Sequence, residues 1–564
     1  MFEIILSSIS SSIMAISTGF IFSKQRFSST SIDYFETGLL GFIYLSFISL
    51  ILNFFIPLSE LLGSIILIFS YIIFFLIALK ANLKFELVKC LAFTSLISLL
   101  LILYSNINRP DAGLYHLPYN AILNENKILI GIYNINFRFA HSSIIQYLSG
   151  IYNNHFFSIE FLTMPIASIF SFYFFFSIKK ILYYSNNNNS NYICLIYILL
   201  LIFSVISFNN YTNFGNDASS HIFFFLLILI FLENNQKIHE SREIFFKIVL
   251  ISLFLFSQKL FMILAFILVL YTFIIFKKKI HLVKGFKFYF ALLIFLSIIL
   301  KNILTSSCIL FPVKQSCFQK LSFYNQDIIL KESRSGEAWS KGWSDQTGSE
   351  FLSQDKFIEN FNWLDSWFSN HFFQILNEIA PFLGVIFLIY IFLIFFSKKQ
   401  NYKNINLKNK NQFFLFIFSL ILVIIWFLKF PLYRYGESFI AVFLTLLSVY
   451  PLKRILSQIE LKKISVVLIF FCFSLLIIKN SLRIYKNYNY VGNSQPWPKI
   501  YTLSDTDGNE QPMYKKILNN KNDFVYYFSE GKECMYSQSP CSNFINKNVN
   551  VKIIKNYKIY YNQK

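Results

Sequence analysis

The chain has 564 residues, 55% of them hydrophobic and 14% charged, with 71 Phe, a net charge of +21 and a mean hydropathy of +0.53. That excludes a soluble enzyme of this length, whose surface needs far more polar side chains, and it excludes a disordered chain, which lacks apolar residues to bury. The positive charge reads as loop charge that orients membrane spans, not as a nucleic-acid footprint, so the lipid bilayer and no nucleic acid is the expected partner.

Apolar blocks of bilayer-spanning length recur along the chain. In order they predict helices at 2–22, 38–56, 60–79, 87–105, 159–178, 191–208, 218–232, 245–276, 286–304, 372–397, 412–430, 433–451 and 463–481. The first is Ser-rich with no basic flank ahead of it, and reads as a retained span rather than a signal peptide. The block 245–276 is too long for one span and is interrupted by Ser257-Gln258-Lys259. Two shorter helices, out and back with the tripeptide at the turn, are expected there; one long tilted helix is the alternative. The fold class is an all-α polytopic membrane protein with about 13–14 transmembrane segments.

Lys and Arg assign the sides. Seven short loops (23–37, 80–89, 179–190, 233–247, 277–287, 398–411 and 452–463) hold 24 of them, and the intervening loops 57–59, 209–217 and 431–432 hold none. Basic loops stay in the cytoplasm. The long loops 106–158 and 305–371, the tail 484–564 and both termini are therefore expected outside. Cysteine placement agrees with this. Cys90, Cys194 and Cys472 lie in or beside spans, Cys308 and Cys317 share the second outer loop, and Cys534 and Cys541 share the tail. Close pairs confined to the outer side fit an oxidising compartment, and two disulfides, Cys308–Cys317 and Cys534–Cys541, are expected. Zinc is the competing reading, but neither pair has neighbouring Cys or His residues to complete four ligands.

The first outer loop is the most informative stretch. Ser105-Asn-Ile-Asn-Arg-Pro-Asp-Ala-Gly-Leu-Tyr-His-Leu-Pro118 begins where a span ends. Asp111 thus sits near the membrane–water boundary, where burial and neighbouring charge alter how readily a carboxylate holds a proton. Arg109 and His116 lie beside it in sequence. Capping a helix is the simpler role for Asp111. In 141–153, Ile144, Ile145, Leu148, Ile151 and Tyr152 form one face and Ser142, Ser143, Gln146, Ser149 and Asn153 the other, which predicts a helix lying in the membrane interface. A weaker case of the same kind is 117–130. The next outer loop ends in Asn213-Phe-Gly-Asn-Asp217 at the start of a span, which places a second acid on the face that holds Asp111. A helix cap is again the simpler role.

This order of spans, outer loop with a membrane-proximal Asp, and short loop with a second acid resembles the amino-terminal module of the GT-C superfamily glycosyltransferases, integral-membrane enzymes that use polyprenyl-phosphate sugars. More closely, Asp111-Ala-Gly-Leu-Tyr-His-Leu-Pro118, Asn136-Phe-Arg-Phe-Ala-His-Ser142, Lys301-Asn-Ile-Leu-Thr-Ser-Ser-Cys-Ile-Leu-Phe-Pro312 and Gly531-Lys-Glu-Cys-Met-Tyr-Ser-Gln-Ser-Pro-Cys541 resemble an uncharacterised bacterial family of multi-spanning proteins grouped loosely with those enzymes. The likeness runs over 100–541. It implies extra transmembrane helices in 1–86, a GT-C-like catalytic module in 87–304, an extracytoplasmic loop in 305–371, further transmembrane helices in 372–483, and an extracytoplasmic tail in 484–564, for which strand-like runs predict a small α/β fold. The chain departs from the GT-C pattern in having three spans ahead of the module. It also has no acid beside Asp111, and Asn216-Asp217 in place of an Asp-x-Asp. No cofactor is expected, and a divalent metal stays open.

The resemblance implies a membrane glycosyltransferase that moves a sugar from a polyprenyl-phosphate donor to an envelope glycan or lipid acceptor, at the outer face of the cell inner (cytoplasmic) membrane. Such an acceptor needs a base, and Asp111 is the candidate, with Asp217 as the second acid. A lipid-phosphate leaving group needs cations; Arg109, Arg138, Lys259 and Arg434 are those placed outside or within the membrane. His116 and His141 are candidates for phosphate contact or proton transfer. The simpler roles are snorkelling for Lys259, an i,i+3 pair with Glu437 for Arg434, and solvation for the histidines. Trp339 and Trp343 offer sugar-stacking faces or an interfacial belt, and Glu337 is an accessory acid. A polysaccharide polymerase or ligase, and a lipid-glycan transporter, are the alternative functions; for a transporter, the 257–259 break is the sole mid-membrane signal.

Overall fold

The computed structural model describes residues 1–22, 33–80, 84–105, 111–141, 143–186, 190–207, 214–235, 237–277, 279–346, 351–396, 410–456, 459, 461–490, 496, 500, 514–517, 525–528, 533–537, 539–543, 546 and 548–562. The apolar blocks become helices in chain order: α1 (Phe2–Phe22), α2 (Tyr34–Asn53), α3 (Glu60–Lys80) and α4 (Lys84–Ile102). The first long loop carries α5 (Leu117–Glu125) and α6 (Ile144–Gly150). Then come α7 (Met164–Tyr184), α8 (Asn191–Ser207), α9 (Asp217–Glu233), α10 (Arg242–Gln258), α11 (Phe266–Ile275), the single turn α12 (Ile280–Val283) and α13 (Phe286–Ser306). The second long loop holds α14 (Gln326–Ser340), α15 (Gln354–Ile358) and α16 (Leu364–Trp367), and α17 (Phe373–Phe396), α18 (Lys410–Lys429), α19 (Tyr433–Leu456) and α20 (Lys462–Tyr490) follow.

Ten helical stretches among the described residues are long and apolar enough to cross a membrane, which makes this a helical multi-pass membrane protein. The shortfall against 13–14 comes from α8, α9 and α10, at 17 residues each, and from the break that follows α10. That break is at Lys259, which is extended (φ −144°, ψ 135°). Leu260–Ala265 then forms a 3-10 turn leading into α11. Phe245 near the start of α10 meets Phe273 and Phe276 at the end of α11, so the two segments run out and back.

Exposure separates lipid-facing helices from the core. On α3, Ile65, Phe69, Ile72 and Phe75 are all exposed, as expected of side chains solvated by lipid. The membrane-crossing window of α7 is buried throughout. The Ser-rich α1 is also interior: Ser11 Oγ lies 2.8 Å from Ser168 Oγ and 3.1 Å from Tyr152 OH, and Ser17 Oγ donates to Ser70 O at 2.8 Å. Small residues let it approach α2, because a Cβ on Gly41 would overlap Ala15 O and one on Gly19 would overlap Thr37 O.

The loops sort to two ends. At one end, Lys179 pairs with Asp33 at 3.4 Å, Lys180 with Glu233 at 2.8 Å, Lys277 with Glu240 at 2.6 Å, and Lys247 with Glu36. At the other end, both long loops and the tail pack together. Tyr133 OH donates to Phe323 O at 2.9 Å, and Asn134 Nδ2 to Phe323 O and Tyr560 O at 3.0 and 3.2 Å. Ile130 and Tyr560 share a backbone bond of 2.8 Å. Two cations of α20 close helix C-termini there: Lys479 Nζ donates to Val205 O at 3.2 Å, and Arg483 donates to Leu100, Leu101 and Leu103 carbonyls at 2.8–3.1 Å. Orphan carbonyls at a negative dipole end favour this pairing.

Among the described residues beyond α20, the tail holds five strands. β1 (Tyr514–Ile517), β2 (Val525–Phe528) and β3 (Cys541–Ser542) form one sheet, with β1–β2 antiparallel and β2–β3 parallel. β4 (Val549–Ile554) and β5 (Tyr557–Asn562) form a hairpin. Lys555 and Asn556 turn it with φ of 48° and 64°, the left-handed pair that matches strand twist. Both disulfides are formed, with Cα–Cα separations of 3.8 Å for Cys308–Cys317 and 6.0 Å for Cys534–Cys541.

Candidate functional site

Four segments meet at the end that holds the long loops. The first is a turn of π-helix, Ala112–His116, preceded by Asp111. Asp111 stands at the N-cap position, yet its side chain caps nothing. It instead accepts from Arg434 Nη1 at 2.8 Å. The second is the start of α9, where Asn216 holds the cap position and Asp217 pairs with Lys259. The third is the α10–α11 break, which puts Lys259 opposite Asp217 because its extended backbone ends the helix there. The fourth is the start of α19, which supplies Arg434 and Tyr435.

Tyr435 ties the two ion pairs into one group. Its ring centroid is 5.3 Å from Lys259 Nζ and 5.2 Å from Arg434 Cζ, and its hydroxyl accepts from Arg434 Nη2 at 3.3 Å. Trp339, at the end of α14, puts its ring 5.4 Å from the Arg434 guanidinium on another side. Burial first, and the Asp111 and Asp217 carboxylates after it, push the Tyr115 hydroxyl up, and both carboxylates also act on His116. The Arg434–Glu437 pair expected from i,i+3 spacing is replaced: Glu437 turns to His221, 3.6 Å away, while His221 also meets Ser438 Oγ at 2.9 Å and Arg434 O at 3.1 Å.

His116 is buried, not solvated. Gln146 accepts from the Ser143 N–H at 2.7 Å through Oε1, so its Nε2 faces His116 Nδ1 at 3.0 Å as a donor. The ring therefore carries its proton on Nε2, which faces Gly215 in the loop before α9. Burial pushes His116 down to about 4, assisted by Arg434 and Lys259 and opposed by Asp111 and Asp217. A neutral ring at pH 7 follows.

The helix expected to lie in the interface is α6, and it is interior. Polar groups of this helix build the loop: Ser143 and Gln146 form a capping box. Asn120 Nδ2 donates to Gln146 O at 2.9 Å, and Asn124 Nδ2 to Gly150 O at 2.8 Å. Residues 117–125 are likewise buried, apart from Glu125 at the end. These contacts hold the turn that carries Asp111.

Two candidates lie elsewhere. His141 Nε2 is 3.5 Å from Glu332, with its ring against Phe311, and Arg138 lies over Phe137. Both belong to the group around the Cys308–Cys317 loop. Arg109 falls outside the described residues. Glu337 pairs with Lys341 at 2.7 Å and Lys429 at 3.6 Å, so it stands in an ion-pair group and not as a free acid. Trp343 donates its indole N–H to Leu352 O at 2.9 Å.

Sequence reasoning missed three contributors. Tyr435 was hidden as one of 34 Tyr. Gln258 accepts from Ser219 Oγ at 2.9 Å, and its backbone carbonyl accepts from Asn216 Nδ2 at 2.9 Å, which locks the break to α9. Glu533 reaches the Asp111 turn from the tail, and a Cβ on Gly113 would overlap its Oε2. Among the described residues, Arg434 Nε and Gln258 Nε2 are buried donors here without a hydrogen-bond acceptor. The described residues hold no group of three or more His, Cys, Asp or Glu placed to bind a metal ion. Chemically, the site offers two cations and spare donors for an anion, next to a half-exposed carboxylate.

Neither the curated proteins nor the solved structures hold a match to the chain. A family model described as a domain of unknown function (DUF8201) matches residues 1–441, well over half of the sequence, and the chain belongs to that family.

Proposed function

We propose that the protein is a membrane glycosyltransferase of GT-C-like organisation. It transfers a sugar from a polyprenyl-phosphate donor to a glycan or lipid acceptor outside the cytoplasmic membrane. The observation that supports this most is the linked Asp111–Arg434 and Asp217–Lys259 pairs, with one carboxylate partly open to solvent. The distribution of basic loops supports the sidedness. The 17-residue length of α9 and α10 supports a recessed site, because such helices rise about 25 Å against a hydrocarbon core of about 30 Å.

In this reading the donor phosphate takes Arg434 and Lys259 as its cations. That engagement releases the Asp111 oxygen now held by Arg434. Asp111 then draws the proton from the acceptor hydroxyl as its oxygen bonds to the anomeric carbon. The bond from that carbon to the phosphate oxygen breaks, and the electron pair leaves with the phosphate. Asp217 keeps Lys259 in place. Trp339, partly exposed above Arg434, is the face on which a sugar ring stacks. The test is transfer from a panel of radiolabelled polyprenyl-phosphate and polyprenyl-diphosphate sugars by the full chain in proteoliposomes. Transfer by the wild type that is lost in Asp111→Asn is expected. Absence of transfer from every donor, or transfer undiminished in Asp111→Asn, overturns the proposal.

A further inference from the structure

Glu533 has no part in the chemistry above, yet the tail delivers it to the Asp111 turn with several restraints. The Met535 N–H donates to Gly113 O at 2.9 Å. Tyr536 OH donates to Asn124 Oδ1 at 3.0 Å, and Ser539 Oγ to Glu125 Oε2 at 2.6 Å. The Cys534–Cys541 disulfide closes the segment that makes these contacts. Gly113 is the point of closest approach: a Cβ there would overlap Glu533 Oε2 and stand 2.6 Å from Met535 Sδ. Any larger residue would push the Glu533 carboxyl away from the turn that Asp111 begins.

Burial first and the Asp111 carboxylate second raise the Glu533 carboxyl above the usual glutamate range. The other charged or titratable groups facing this region are Tyr115 and His116 on the same turn, Arg434 and Tyr435 from α19, and Asp217 with Lys259 beyond them. Of these, Asp111 acts on Glu533 through its charge.

We propose that Glu533 is a positioning residue that acts through Asp111, accepting the proton Asp111 has taken from the acceptor and releasing it to water. The inference rests on the reading of Asp111 as the base. Each turnover leaves the acceptor proton on Asp111. While it stays there, Asp111 cannot re-form its ion pair, and Arg434 lacks its counter-charge once the phosphate departs. Transfer breaks the O–H bond on Asp111 and forms one on Glu533, which is half-buried and in reach of solvent. The proton then passes to water, and Asp111 returns to Arg434. No electrons move and no co-reactant is consumed.

Two measurements on the full chain test this. Without any substrate, infrared pH titration in detergent follows the protonated carboxyl band that Glu533→Gln removes. Its midpoint is expected to lie higher in the wild type than in Asp111→Asn; equal midpoints overturn the inference. With substrate, Glu533→Gln is expected to lower kcat about 10-fold at unchanged KM and to shift the acid limb of the pH–rate profile, with Glu533→Asp restoring part of both. A Glu533→Gln enzyme that is slower but keeps the wild-type pH profile overturns it, since that marks mere tail docking. Coupled midpoints without wild-type transfer would overturn the transferase reading and leave the Glu533–Asp111 pairing standing.

Discussion

Asp111→Asn separates what Asp111 does for the fold from what it does for chemistry. Asparagine keeps the shape and one oxygen to accept the Arg434 N–H, now at 2.8 Å. Arg434 also keeps the Tyr435 hydroxyl at 3.3 Å and the rings of Trp339 and Tyr435 at 5.4 and 5.2 Å. The paired side chains are 35% and 42% exposed, for Arg434 and Asp111 respectively. Solvent therefore screens their attraction, and losing it costs about 1 kcal/mol or less. The same change removes the proton acceptor, which costs about 10²–10⁴ in rate, or about 3–5 kcal/mol of barrier. Chemistry should thus suffer several times more than stability. The assay pairs transfer rate in proteoliposomes with the melting temperature of the detergent-solubilised protein. The expected result is a loss of transfer with a melting temperature lowered by about 2 °C or less. A variant that keeps more than about a tenth of the wild-type rate refutes Asp111 as the base. So does a large fall in melting temperature that accounts for the lost activity by unfolding.

Asp217→Asn should behave in the opposite way. Lys259 is only 11% exposed, so stranding its charge is expected to cost about 2–4 kcal/mol, and Lys259→Met in the same chain should recover most of that in a melting experiment. His116 sets a pH dependence with a defined sign. Its ring titrates at about 4 when folded and near 6.5 when unfolded. The unfolded chain therefore binds the extra proton between those values, and stability present at neutral pH is lost as pH falls through about 6.5 toward 4, by up to about 3 kcal/mol. His116→Gln should flatten that slope; an unchanged slope places the titration elsewhere. The Cys534–Cys541 bond closes a segment of sequence separation 7, worth about 2–3 kcal/mol in chain entropy. Replacing both cysteines with Ser should speed proteolysis within 533–541 while the helices stay resistant, and equal cleavage rates would show that the hydrogen bonds to Gly113, Asn124 and Glu125 suffice.

The helical membrane architecture was legible because bilayer length and apolar composition are local properties. The α10–α11 turn was legible for the same reason: Ser257-Gln258-Lys259 interrupts an apolar run. Paired cysteines were readable because each pair lies within one short segment. What could not be read is where polar residues would find partners. The alternation in 141–153 fits an interfacial helix as well as a buried one, because periodicity reports two faces and not what covers the polar one. Here that cover is Asn120, Asn124 and His116. Arg434 shows the same limit: the i,i+3 spacing to Glu437 is a local signal, whereas its partner Asp111 is 323 residues away. The tail's strands were visible as β-branched and aromatic runs.

Gly113 links the two levels. Neither a turn nor a positive φ requires glycine there; the requirement is steric and comes from Glu533, in a segment more than 400 residues away. The family match ends at residue 441, so it includes Asp111, His116, Asp217, Lys259, Trp339 and Arg434 and leaves the tail outside. The charge cluster is therefore complete within the matched part of the chain. Beside the Asp111 turn the tail makes contact through the Gly113 carbonyl, the Gly113 α-carbon face, and the side chains of Asn124 and Glu125. None of these touches the Arg434 or Lys259 pairs. The resting ion pairs are thus built from residues within 1–441, whereas Glu533, whose carboxyl responds to the Asp111 charge, comes from the tail. That division is why Glu533 is a candidate for moving a proton away from Asp111 and not for holding the donor phosphate.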